Sequence, residues 1–127
     1  LFAKKRNEIA KFYKKELKNI PYISLPKTLN HVKHAYHLFT ILIDFKKIGI
    51  TKNFFMSELA KNGIGSQVLY IPVFLQPYYK KKYRYNNKDF PNAMSYYDKA
   101  LSIPIFYDLK KSELKFISDT IKSILRG

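Results

Sequence analysis

The sequence predicts an α+β fold, a short antiparallel sheet with flanking helices. Three observations carry that reading. Helical apolar periodicity opens and closes the 127-residue chain. Apolar, β-branched segments lie between those ends. Prolines and glycines punctuate the stretches that separate them. Two or three strands make a poor sheet alone, so the unit is expected to lean on another domain.

In chain order, Phe2 to Lys18 carries Ile9, Phe12, Tyr13 and Leu17 at helical steps, continued by Ile20, with Lys and Glu on the other face. Pro21 stops this helix, because proline lacks the N–H and its ring clashes with the preceding turn. Pro26 keeps the chain irregular to about His34. Ala35 to Ile43 (AYHLFTILI) is aromatic and β-branched, a strand buried on at least one face. Asp44 to Ile50 reads as a polar connection containing Gly49. Thr51 caps a helix over Lys52 to Asn62, whose apolar side is Phe54, Phe55, Met56 and Leu59; Gly63 falls where a left-handed C-cap residue belongs. Ser66 to Ile71 (SQVLYI) is a further strand, closed by Pro72. Phe74 to Asp89 reads as a Tyr- and Lys-rich loop with little periodicity. Pro91 suits the first turn of a helix to about Ala100. Leu101 to Phe106 is a short extended piece broken by Pro104. The last helix, Ser112 to Leu125, turns Leu114, Ile117, Ile121, Ile124 and Leu125 inward. No internal repeat or low-complexity linker interrupts this order, so residues 1–127 are expected to form one domain or a fragment of one.

Composition excludes several classes. Hydrophobic residues are 46% and aromatics 17%, which argues against disorder. The lack of cysteine removes disulfide scaffolds, zinc–cysteine sites and thiol nucleophiles together. No apolar run approaches the roughly 18 residues of a membrane span. Leu1, without an initiator Met or a signal-peptide pattern, reads like the interior of a longer cytoplasmic polypeptide. The net charge is +15, yet 21 of the 24 basic residues are Lys. Phe, Tyr, Met, Ile, Asn and Lys make up 66 of the 127 residues, and all have A/T-rich codons. Codon bias therefore supplies much of the lysine, while Arg, the bidentate phosphate ligand, is nearly absent. A small basic module for nucleic acid or an anionic surface is the competing class.

Candidate chemistry is sparse. His31, His34 and His37 are three apart, but a strand from Ala35 would split them between faces, and no carboxylate completes a metal site. The run Tyr78-Tyr79-Lys80-Lys81-Lys82-Tyr83-Arg84-Tyr85 interleaves rings with cations, a combination that stacks bases and follows phosphates or simply solvates a loop. Gly63-Ile64-Gly65 follows a helix and precedes a strand, the reverse of a phosphate-binding glycine turn. No catalytic constellation is complete, and no metal ligand set is present.

Two long segments carry a resemblance: MSELAKNGIGSQVLYIPVFLQPYY, Met56 to Tyr79, and FPNAMSYYDKALSIPIF, Phe90 to Phe106. With the early KKRNEIAKFY and HAYHLFTILI, in this order, they resemble the C-terminal part of the DegT/DnrJ/StrS family of PLP-dependent sugar aminotransferases, in the manner of those that aminate a UDP-linked 4-keto sugar for pseudaminic acid. The resemblance covers essentially the whole chain. It implies the small C-terminal domain of a fold-type I PLP-dependent aminotransferase, packed on a larger domain that is missing here. It also implies amino transfer from an amino acid such as glutamate, through PLP, to a nucleotide-linked keto sugar.

In that family PLP is held by a lysine of the large domain, whose surrounding segment has no counterpart here. The resemblance thus implies that this chain alone binds no PLP and needs a large-domain or homodimer partner. Tyr70, Pro72, Gln76, Pro77, Tyr78 and Tyr79 match the family motif. Of these, Tyr70, Gln76, Tyr78 and Tyr79 are the implied substrate-binding residues, through hydroxyls and an amide. Three positions depart from it: Leu69 and Phe74 stand where the family usually has His, and Met94 where it usually has Glu. Such polar-to-apolar changes suit an altered substrate or a split-gene relic.

Overall fold

A computed structural model of the chain describes residues 1–126. Its elements are α1 (Phe2–Leu17), β1 (Ile23–Ser24), β2 (Phe39–Ile43), α2 (Phe45–Ile48), α3 (Lys52–Lys61), α4 (Pro77–Tyr83), α5 (Pro91–Lys99), β3 (Ala100–Ile103) and α6 (Lys111–Arg126), with short 3-10 turns at Val73–Leu75 and Asn87–Asp89. The strands form one antiparallel sheet in the order β1-β2-β3. Ile23 faces Ile43 on one side of β2; Phe39 faces Ile103 and Ile41 faces Leu101 on the other.

The core follows from two periodicities. In β2 every second residue, Phe39, Ile41 and Ile43, is buried. Their common face meets Ile9, Tyr13 and Leu17 of α1, Phe55 and Leu59 of α3, and Leu114, Ile117 and Ile121 of α6. Tyr13 is fully buried, so its hydroxyl must be satisfied inside; it donates to the Pro104 carbonyl at 2.9 Å. Burial pushes that phenol well above its ordinary pKa. Glu16 on α1 accepts from Lys122 on α6 at 2.6 Å and ties the two long helices together. Leu42 points away from this core and shares a cleft with Asn92, Ser95 and Tyr96 of α5.

The α+β class, the long terminal helices, the helix after Thr51 and the helix after Pro91 all match expectation. Thr51 Oγ1 accepts from Phe54 N, and Gly63 takes φ +71° beyond the helix end, as capping chemistry requires. Four expectations need correction. The strand starts at Phe39, not Ala35, because Tyr36 has φ +45°, which extended backbone does not allow; its N–H donates to His34 Nδ1. Asp44 to Ile50 is not a plain connection: Asp44 caps α2 through Lys47 N, and Gly49 ends the turn at φ +84°. Ser66 to Ile71 forms no strand; Gln67 alone bridges Ser102 of β3, through bonds of 3.1 and 2.9 Å, before the chain leaves the sheet edge. Phe74 to Asp89 is not a loop but α4 between the two 3-10 turns. The two-residue strand β1 lies between Pro21 and Pro26, where the sequence predicts no strand.

Candidate functional site

The motif segment leaves the sheet at Gln67 and returns to it through α5. Between them the chain builds a platform from aromatic rings. Phe74 is buried and stacks on Phe90 with centroids 4.4 Å apart and planes 20° apart. Tyr85 meets the Phe90 ring edge-on at 5.2 Å. Tyr83 stacks on Tyr85 at 5.5 Å, and Tyr79 lies nearly parallel to Tyr83 at 6.3 Å. Tyr78 closes the series edge-on to Tyr79 at 5.2 Å. Such pairs contribute about 0.5–1.5 kcal/mol each beyond area burial.

Local chemistry sets this path. Pro77 occupies the first turn of α4, where its missing N–H costs nothing, and Gln76 O accepts from Lys80 N at 3.0 Å. Arg84 takes φ +55° and ends the helix with its N–H on Lys80 O, which turns Tyr85 back onto Tyr83. Asn86 and Asp89 then form a reciprocal capping box: Asn86 Oδ1 accepts from Lys88 N and Asp89 Oδ2 from Asn86 N.

The structure brings three of the four sequence-predicted residues together. Gln76 precedes α4, and Tyr78 and Tyr79 sit in its first turn. Tyr70 lies on the preceding extended segment, beside a cis Leu69–Tyr70 peptide, and takes no part in the ring series. All four are exposed: 75% for Tyr70, 63% for Tyr78 and 40% for Tyr79, with Gln76 alongside. Lys82 donates to the Tyr78 hydroxyl at 3.2 Å and lies 5.5 Å from its ring centre. The Tyr70 and Tyr79 hydroxyls and the Gln76 amide have no hydrogen-bond partner among the described residues, so all three can address a hydroxylated ligand.

The departures have structural consequences. Phe74 points into its own cluster rather than outward. Met94 lines a cleft of about 840 Å³ between α2, α3 and α5, together with Phe45, Ile50, Lys52, Tyr97 and Lys99. In that cleft the Lys52 ammonium donates to the Tyr97 carbonyl and, at 3.4 Å, to the Ala100 carbonyl, and lies 4.7 Å from the Tyr97 ring centre. Burial lowers the Lys52 pKa, while Asp98 acts in the other direction. Lys52 thus completes the carbonyl end of α5, a role that no sequence motif announced. Asp44 pairs with Lys99 at 3.4 Å on the ridge to the neighbouring cleft of about 520 Å³.

The histidines are structural or solvated. His34 accepts from Tyr36 N at 2.9 Å, and its carbonyl accepts from Asn7. Among the described residues, no group of three or more His, Cys, Asp or Glu is placed to hold a metal. Nor is any described helix long and apolar enough to cross a membrane.

A family model for the DegT/DnrJ/EryC1/StrS aminotransferases matches residues 1–122. The chain belongs to this family. Among the family's curated proteins, the spore coat polysaccharide biosynthesis protein SpsC of Bacillus subtilis is 34% identical over 125 residues, which is 98% of this chain and 32% of the relative. A UDP-4-amino-4,6-dideoxy-N-acetyl-beta-L-altrosamine transaminase of Campylobacter jejuni is 37% identical over 121 residues, covering 95% of this chain and 31% of the relative. The solved structure of PseC from Helicobacter pylori, an aminotransferase involved in the biosynthesis of pseudoaminic acid, superposes with a TM-score of 0.88 at 25% identity over 98% of this chain. That match covers 33% of the PseC chain. The chain therefore spans about a third of the length of these aminotransferases.

The DegT/DnrJ/EryC1/StrS family is PLP-dependent, so the described residues can be tested for fit. A cofactor lysine needs a free amine in a built pocket, and an acid for the pyridine nitrogen. Lys52, the partly buried lysine of the larger cleft, commits its ammonium to two main-chain carbonyls. Lys52 therefore does not offer the free amine that PLP needs.

Proposed function

We propose that this chain is the sugar-facing C-terminal lobe of a nucleotide-sugar aminotransferase, with PLP and its lysine carried by a large lobe outside these 127 residues. The parent reaction moves an amino group from an amino acid, glutamate by preference, to a keto sugar. The observation that carries the reading is the family match over residues 1–122, set against relatives three times longer. The large lobe comes from the same polypeptide, a second chain or a homodimer partner, and the enzyme works in the cytoplasm.

The role of this lobe is positioning. Tyr70, Gln76, Tyr78 and Tyr79 offer hydroxyls and an amide to sugar hydroxyls. Leu69 and Phe74 carry no proton-transfer group, so this lobe binds and orients and does not exchange protons at those positions. The same two residues, with Met94, favour a second reading, a relic whose substrate contacts have decayed.

The test is reconstitution. The full chain is mixed with PLP alone, then with a separately expressed large lobe of a family relative, an amino donor and a UDP-4-keto sugar. We expect no covalent PLP absorption from the chain alone, and transamination only with the large lobe. In that assembly Tyr78→Phe and Tyr79→Phe should raise KM more than they lower kcat. Covalent PLP on the chain alone would overturn the assignment of the cofactor lysine to another lobe. A reconstituted activity indifferent to Tyr70, Gln76, Tyr78 and Tyr79 would favour the relic.

A further inference from the structure

We infer that Lys80, Lys81 and Arg84 of the α4 segment form a phosphate site for the diphosphate of a nucleotide-linked ligand. The inference rests on the reading of Tyr78 and Tyr79 as sugar contacts and extends it one helical turn.

Charge comes first. Between Lys80 and Lys88 the chain carries five cations, and none of them has a carboxylate partner among the described residues. Elsewhere among the described residues only Lys61, Lys99, Lys115 and Lys122 have one, so what marks this stretch is its density of cations, five in nine residues. The one acid in the stretch, Asp89, is already bonded to Asn86 N. Lys82 is committed to the Tyr78 hydroxyl and lies 5.4 Å from the Tyr83 ring centre, which leaves Lys80, Lys81 and Arg84 with uncommitted donors, at helical spacings that bring Arg84 beside both lysines. Unpaired cations on a surface with no counter-charge are complementary to an anion.

Spacing comes next. Lys81 follows Tyr78 by three residues, which places both on one face of α4 about 4.5 Å apart along the axis. Arg84 lies a further turn on, at the helix end. A hexose held at Tyr78 therefore has its glycosidic phosphate within reach of Lys81, with Arg84, three residues on from Lys81 and four from Lys80, offering a planar fork to the next phosphate. Arg84 is fixed there by its φ of +55° and by its N–H on Lys80 O.

The experiment is an amide NMR titration of the full chain with UDP, inorganic pyrophosphate and uridine in separate arms. UDP should shift the amides of residues 80–85, pyrophosphate the same amides more weakly, and uridine scarcely at all. A K80M/K81M/R84M variant should weaken UDP binding roughly tenfold or more. A K4M/K11M/K15M variant of α1, which removes the same charge, should leave it within about twofold. The amide spectrum of each variant checks its fold. Uridine binding as well as UDP overturns phosphate recognition, as does equal weakening by both triple variants. UDP shifts confined to Tyr70–Gln76 overturn the α4 site while leaving the aminotransferase reading intact. Retention of a twelve-residue oligothymidylate at about 150 mM salt, tighter than UDP, overturns it in favour of an extended polyanion surface.

Discussion

Lys52 and Tyr97 are joined twice: the lysine ammonium donates to the Tyr97 main-chain carbonyl and lies 4.7 Å from the centre of the same residue's ring. Lys52 stands at the start of α3 and Tyr97 in the last turn of α5, 45 residues away. The cation answers the negative end of the α5 dipole and one of its orphan carbonyls at once. It thereby fixes the helix that hands the chain from the aromatic platform back to β3.

Replacing that ammonium should loosen α5 without emptying the core. Lys52→Met keeps the apolar stem and removes the donor. We expect a loss of about 1–2 kcal/mol in urea unfolding with an unchanged m value. The amides of residues 97–100 should exchange faster than those of α6. A loss spread evenly over all helices would contradict a local cap.

Met94 lines the same cleft as Lys52 but offers it no charge. Met94→Glu introduces a carboxylate among Lys46, Lys47, Lys52 and Lys99, with Asp44, already paired with Lys99, and Asp98 the opposing acids in the same cleft. We expect a net gain below about 1 kcal/mol, the range of partly exposed pairs. The gain should be absent at low pH and smaller in a Lys52→Met background. A double-mutant cycle measures that coupling directly.

These residues also show where a sequence stops being informative. Elements that bury a stripe declare themselves: Ile9, Tyr13 and Leu17 on α1, Leu114, Ile117 and Ile121 on α6, and the alternating residues of β2 all point at one core. Helix α4 buries nothing, so no periodicity reveals it; Pro77 was its one local signal. Two-residue β1 has no pattern to read, and its place depends on Ile23 meeting Ile43. SQVLYI reads as a strand because extended backbone and paired backbone share a composition, yet only Gln67 finds a partner. The contact of Lys52 with Tyr97 is tertiary, and nothing local to either residue encodes it. Tyr70, Gln76, Tyr78 and Tyr79 were named through a family motif, and exposure with unused donors is what the fold adds to them.

Acid should weaken the tie between the two long helices. The Lys122 hydrogen bond holds the Glu16 carboxyl below its ordinary pKa, burial opposes it, and the charges of Lys122 and Lys115 add to the lowering. A depressed carboxyl contributes stability that is full above its unfolded value, about 4.3, and is lost as pH falls through the lower folded value. The wild type should therefore exceed Glu16→Gln in Tm at pH 7, and the gap should close as pH falls below the ordinary carboxyl value of about 4.3. A gap that widens on acidification would contradict the sign.

The aromatic platform makes the last and most local prediction. Phe74 is its buried end: through Phe90 it supports Tyr85, through Tyr85 it supports Tyr83, and so on to Tyr79 and Tyr78. Phe74→Ala removes the ring that holds Phe90 in place, at a cost of about 2–3 kcal/mol, below the 3–5 kcal/mol of a fully enclosed phenylalanine. Phe74→His should cost less because a ring remains, but it buries a polar nitrogen against Phe90 unless the side chain turns outward. Near-UV circular dichroism should report the difference: the tyrosine signal should fall in Phe74→Ala and largely persist in Phe74→His. Far-UV helicity should stay nearly constant in both, because α1 and α6 rest on the separate core around Phe39 and Ile41. If the tyrosine signal survives Phe74→Ala intact, the rings are held by α4 alone and the platform is not a coupled unit.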